Sequence, residues 1–162
     1  MLWGKRIFFG LVALAILQTI YYYPQMPDVV ASHWDGLGQA NAWSGRTGFF
    51  ALYLGIVLML VGVFIYMPGW SVGRSRMGMR IPHPEYWLAP ERIEQTRQFF
   101  RRQMAIMGVV HLLLAIYVMQ LAIEANLETE ARLDSGVFWA LGLYFSILTA
   151  WLIYFFLHFR RP

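Results

Sequence analysis

"GFFALYLGIVLMLVGVFIYM", residues 48–67, runs for 20 positions without a Lys, Arg, Asp or Glu. A helix rising about 1.5 Å per residue covers about 30 Å in that length, the thickness of a bilayer's hydrocarbon core. In hydrocarbon every backbone amide must be bonded within the protein, so the run predicts a spanning helix rather than a loop or an open sheet. Residues 7–23, 104–123 and 136–157 are equally free of those four residue types. Four such runs predict an all-α integral membrane protein. Its expected form is a four-transmembrane-helix bundle in a single domain over residues 1–162, with loops at 24–47, 68–103 and 124–135.

Composition agrees. Of 162 residues, 59% are hydrophobic and only 14% charged, outside the usual range of soluble domains. Cysteine is absent, which excludes disulfides, thiolate metal sites and thiol nucleophiles. The net charge of +4 would suit nucleic acid or anionic lipid alike, and its placement decides between them. Lys5 and Arg6, then Arg74, Arg76, Arg80, Arg92, Arg97, Arg101 and Arg102, then Arg160 and Arg161, fall on one side of the four spans. Only Arg46 and Arg132 fall on the other. By the positive-inside rule both termini are cytoplasmic, and the basic residues serve orientation and lipid headgroups, with no nucleic-acid partner. Lys5 and Arg6 before an apolar run also resemble a secretory signal. The run is longer than a signal core, however, and Tyr21, Tyr22 and Tyr23 read as an interfacial anchor that stays in place.

In the first outer loop Pro24 and Pro27 break the helix, and Asp35-Gly36 with Gly38 supplies a tight turn. Trp34 and Trp43 suit the headgroup layer, so the loop is expected to lie back on the bundle. Residues 28–34 are compatible with either a helical turn or an extended segment. Gly48, Gly55 and Gly62 recur every seven residues and predict a helix-packing seam. On the cytoplasmic side "GWSVGRSRMGMR" reads as a loop, and a helix is expected from about Pro90 into the third span, with Arg101 and Arg102 at the headgroups. The second outer loop, "EANLETEARLD", is acidic and favours a cationic partner.

Few residues carry chemistry. His33 and Asp35 could share a cation with Asp28, Glu124, Glu128 or Asp134, but two ligands without a metal-binding spacing make no site, and none is expected. His33 is expected instead to bond the backbone or Asp35 and fix the turn, or to join Trp34, Asp35, Asn41 and Trp43 in a polar, aromatic rim for a ligand or partner. His111, inside a span, requires a named partner. Counting along the helices from their inner ends places it level with Thr149, with Ser146 one turn beyond. Gln120 is expected to meet Gln18 and Thr19 near the outer edge. Interhelical hydrogen bonding explains these groups; a proton or substrate path through His111 is the alternative. No nucleophile elbow, phosphate loop or intramembrane carboxylate pair is present, so neither an enzyme nor a cofactor is expected.

"MPDVVASHWDGLGQANAWSGR" is similar to the signature of the bacterial membrane family called domain of unknown function 1648, through Pro27, His33, Trp34, Asp35, Gly38, Gln39, Asn41 and Trp43. "YWLAPER", Tyr86 to Arg92, also resembles a segment common in that family. The resemblance implies a bacterial inner membrane location. The same domain opens the Sdp-type immunity proteins, whose further membrane half is not matched here, and so implies a sensing or immunity-like role. The expected function is a non-enzymatic binding, sensing or regulatory module with a protein or peptide partner at the outer loop. The alternatives are an accessory subunit of a larger membrane complex or homo-oligomer, and a transporter component.

Overall fold

A computed structural model of the chain describes residues 2–68 and 81–160. The expected loop "GWSVGRSRMGMR", with Arg74, Arg76 and Arg80, and the tail residue Arg161 lie outside the described residues. Four helices are long and apolar enough to cross a membrane, as in a multi-pass membrane protein. They are α1 (Leu2–Tyr22), α2 (Arg46–Val61, prolonged by a π-helical turn at Gly62–Tyr66), α4 (Ile93–Leu127) and α5 (Gly136–Arg160). A four-residue helix, α3 (Pro84–Trp87), precedes α4.

Apart from Tyr23 and Met67, the last residues of the first two runs, the apolar runs fall inside these helices, which start at or before the runs' first residues. Helix α1 takes in Lys5 and Arg6, and α4 has 35 residues. At about 1.5 Å per residue, α4 is about 52 Å long, well beyond a hydrocarbon core of about 30 Å. Its first turns, with Arg97, Arg101 and Arg102, therefore stand clear of any apolar slab that holds residues 104–123. The helix expected from Pro90 begins three residues later; Pro90 to Arg92 form a turn instead.

The expected all-α fold is corrected in one respect, since residues 28–34 are extended: β1 (Val29–Trp34) pairs antiparallel with β2 (Ala40–Gly45) in a two-stranded sheet. Neither strand alternates apolar and polar cleanly, because the hairpin is held by bonds at its edges rather than by one apolar face. Helix α5 lies at the periphery of the bundle, with Leu148 and Trp151 packed against its core. The core is formed by α1, α2 and α4, through Phe8, Phe50, Tyr53, Val57, Met107, Leu112, Met119 and Ile123. Helix α5 packs on α4, and only Val137 and Phe159 on it are buried. Away from the hairpin the two helices are joined by rings: Phe99 stacks on His158 at 3.8 Å, and Trp87 of α3 donates its indole N–H to the Phe159 carbonyl at 3.2 Å.

Among the described residues of this chain the glycine face of α2 is uncovered. A Cβ on Gly48, Gly55 or Gly62 would meet nothing within 4 Å. The close approach occurs at Gly108 of α4, where a Cβ would lie 2.7 Å from the Phe8 ring and 2.8 Å from Phe64 Cβ. Phe64 lies in the π-helical turn, where wider winding changes which residues of α2 face α4.

Candidate functional site

The hairpin sits where α1, α2 and α4 end, and the chain fastens it at four places. Arg46 opens α2 and reaches back across the hairpin's base. Its Nη1 donates to the Met26 carbonyl at 2.7 Å, its Nη2 to Asp28 Oδ1 at 2.9 Å, and its guanidinium lies 4.9 Å from the Tyr23 ring centre. Asn126, in the last turn of α4, grips the middle of β1. The Asn126 Oδ1 accepts from the Ala31 N–H at 2.6 Å, and its Nδ2 donates to the Ala31 carbonyl at 3.0 Å and the Ala122 carbonyl at 2.8 Å. A side-chain amide thus stands where a neighbouring strand would.

Trp34 provides the third fastening by donating its indole N–H to the Ala131 carbonyl at 2.8 Å. The fourth is at the tip. There the Leu133 N–H donates to the Gly38 carbonyl at 2.9 Å, and Arg132 bridges Gln39. Gly38 has φ +76° and stands so close that a Cβ would lie 2.6 Å from the Leu133 oxygen, so both conformation and space require glycine there. The segment between α4 and α5 is therefore part of the hairpin's support.

Asp35 builds the turn. Its Oδ1 accepts from the backbone N–H groups of Leu37 at 2.8 Å and Gln39 at 2.9 Å. Those bonds, Gln39 first and then Leu37, lower the carboxyl below the usual carboxylate range; the charges of Arg132 and His33 add to them. His33 does not bond to Asp35 or to the backbone. Its Nδ1 donates to Asn41 Oδ1 at 2.5 Å across the hairpin. His33, Asn41 and Trp43 are exposed, whereas Trp34 is half-buried.

His33, Trp34, Asp35, Asn41 and Trp43 thus belong to one small sheet and its turn, but they divide into two sets. Trp34 and Asp35 hold the fold, and His33, Asn41 and Trp43 face outward. Beside the tip lies an open cleft of about 610 Å³, lined among others by Leu37, Glu124, Glu128, Arg132 and Asp134. Among the described residues no three His, Asp or Glu side chains gather as metal ligands, because Asp28 is tied to Arg46, His33 to Asn41 and Asp35 to its own turn.

The intramembrane polar residues form two groups. Gln18 donates to Gln120 Oε1 at 2.9 Å and accepts from the Tyr53 hydroxyl at 2.8 Å. Gln120 donates in turn to Tyr22 at 3.0 Å and to Glu124 at 2.8 Å. Gln18 and Gln120 meet as expected, whereas Thr19 bonds only to the Ala15 carbonyl of its own helix, at 3.0 Å. Tyr22 and Tyr53 were not anticipated; tyrosines are common in these spans, so no pattern singled them out.

His111 has a different partner from the one expected. Its Nε2 is hydrogen-bonded to the Tyr144 hydroxyl at 2.9 Å, and its Nδ1 donates to the Met107 carbonyl at 2.7 Å. Thr149 and Ser146 are exposed, and Ser146 bonds back to Gly142 at 2.8 Å. The two bonds leave neither ring nitrogen free.

Comparison with known proteins locates one region. Residues 10–57 match the family model of Domain of unknown function (DUF1648). The match spans most of α1, the whole hairpin and α2 as far as Val57, and ends before Tyr86–Arg92. No curated protein and no solved structure matches the chain.

Proposed function

We propose, from the premise that residues 10–57 carry domain of unknown function 1648, that this protein is a non-enzymatic binding, sensing or regulatory module of the bacterial cytoplasmic membrane. Both termini lie in the cytosol and the hairpin lies outside. The orientation rests on the basic residues, of which Arg46 and Arg132 alone are at the hairpin end.

A single observation carries the functional reading. The hairpin is pinned to α4, α2 and the second outer loop by hydrogen bonds that include a buried amide, yet His33 and Asn41, which bond to each other, and Trp43 are exposed on it. Rigid backbone beneath exposed polar and aromatic side chains is the arrangement of a recognition surface, because little ordering entropy is lost on binding. Carboxylates outnumber guanidiniums at that end, so the partner is cationic. An immunity-like role against a secreted peptide fits this reading and the resemblance to Sdp-type proteins.

A second reading is favoured by a different observation. Helix α5 buries little, and the Gly48, Gly55 and Gly62 face is open, so two lipid-facing surfaces are left for another helix. That supports an accessory subunit of a larger complex, or a homo-oligomer.

Affinity purification from native membranes in mild detergent tests both. Partner loss on His33→Ala, Asn41→Ala and Trp43→Ala together, with retention on Gly55→Leu, supports the hairpin. The reverse pattern supports the subunit reading, and retention in all variants removes both.

A further inference from the structure

Ala31 and Trp43 face each other across the hairpin. In an antiparallel ladder, facing residues alternate between pairs that exchange both backbone bonds and pairs whose N–H and C=O groups point away from each other. Ala31 belongs to the second kind, because Asn126 takes its N–H and C=O from the far side at 2.6 and 3.0 Å. Trp43 therefore directs its own N–H and C=O out along the opposite edge of the hairpin.

That edge is covered only at its start. Leu133 bonds to the Gly38 carbonyl and Arg132 bridges Gln39, but the covering segment turns away at Glu130, whose carbonyl accepts from the Arg132 N–H at 2.6 Å. Among the described residues no further strand lies along β2. One edge of the sheet is thus closed by a buried side chain, while the other is begun by the chain itself and left open from Asn41 to Gly45. An open edge is a template for pairing, and proteins usually cover it or blunt it.

We propose that the open edge of β2 is a strand-addition site for an extended cationic peptide segment, which continues the line that residues 131–133 begin. The inference rests on the hairpin being a partner-binding surface, and it names the mode and the chemistry. Main-chain bonds to Trp43 and its neighbours supply affinity that does not depend on sequence. Charge supplies the preference: Asp35, Glu124, Glu128, Glu130 and Asp134 lie at this end with Arg132, and Arg46 is occupied by Asp28. Side-chain contact is available at Trp43, which is 57% exposed. A shallow hollow of about 230 Å³ beside it is lined by Gln39, Ala40, Trp43, Glu130, Ala131 and Arg132. It lies where the chain's own segment departs, and it receives the first side chain of the added strand.

The test uses the full chain in phosphatidylcholine nanodiscs and a fluorescent, end-capped peptide of alternating Lys and Val, ten residues long. Saturable binding is expected. It should weaken at least roughly tenfold, a loss of about 1.4 kcal/mol, when two adjacent central residues of the peptide are N-methylated, which removes a donor from each of its edges. A Glu-Val peptide should weaken to a similar degree. Amide exchange at Trp43 should slow on binding, while that at Ala31 stays unchanged. Absence of saturable binding, equal binding of the N-methylated peptide, or an unprotected Trp43 amide at saturation would each overturn strand addition. A native partner that is lost on Trp43→Ala but leaves the wild-type Trp43 amide unprotected also overturns it, and leaves the hairpin's role as a binding surface standing.

Discussion

Asn126 holds both backbone polar groups of Ala31, and all three groups are buried. A buried amide left without a partner costs about 1–3 kcal/mol for each group, more than the bond gained is worth. Asn126→Leu therefore orphans an N–H and a C=O together. The expected result is detachment of β1 from α4, seen as faster amide exchange at Ala31, with α4 and α5 unchanged. Asn126→Gln, which keeps the chemistry but lengthens the arm, should restore little. An unaltered exchange rate at Ala31 in Asn126→Leu would show that the amide does not hold the strand.

His111 and Tyr144 make the contact that joins the middle of α4 to α5, with Phe64 against the imidazole at 4.6 Å. Intramembrane hydrogen bonds contribute about 0.5–2 kcal/mol each. His111→Leu and Tyr144→Phe should each destabilise the protein in detergent by an amount in that range, and the double variant by scarcely more than either alone. Additive losses in a double-mutant cycle would mean that the two side chains act separately.

The two kinds of glycine should respond in opposite ways. At Gly108 a methyl group would press on Phe8 and on Phe64 Cβ, and overpacking of this kind costs about 1–3 kcal/mol. At Gly48 and Gly55 a methyl group meets no atom of this chain, and alanine is the better helix former. Gly108→Ala should lower the Tm of the purified protein; Gly48→Ala and Gly55→Ala should leave it unchanged or raise it. A fall in Tm on Gly55→Ala would show that in solution this face is packed against another chain.

These residues also show what a sequence discloses. The four spans were legible because a run of 20 residues without charge has few alternatives, and Gln18 and Gln120 because polar side chains at matching depth in apolar runs must find each other. The hairpin was not legible, since "VVASHW" and "ANAWSG" lack the alternation of a half-buried strand, and the first of them is held from outside by Asn126, 95 residues away. Tyr144 was missed because counting from both inner ends assumed flush helices. The actual register is set by Phe99 on His158 and by Trp151 donating to Gln103 at 2.9 Å. Going 12 residues on from Phe99 reaches His111, and going 14 back from His158 reaches Tyr144, nearly the same level. The glycine repeat shows which residues share a face, but spacing alone does not tell what covers it.

Asp35 makes the turn sensitive to pH in a definite direction. Its ionised carboxylate is favoured in the folded turn by the N–H groups of Gln39 and Leu37, so its folded pKa lies below the unfolded one. The unfolded chain then binds the proton more readily, and the stabilisation is fully present above the ordinary carboxyl range of about 4 and is lost as pH falls through the lower, folded value. Above that range Asp35 is ionised in both the folded and the unfolded chain and adds no pH dependence of its own. Acidification below about 4 should speed amide exchange at Leu37 and Gln39, after correction for the intrinsic rate, and leave Ala31 protected by Asn126. Asp35→Asn keeps an acceptor oxygen but no charge; it should weaken the turn modestly at neutral pH and abolish the acid dependence. An acid dependence that survives in Asp35→Asn would have to be assigned to another group at the hairpin end, and the carboxylate of Asp35 would not be what holds the turn.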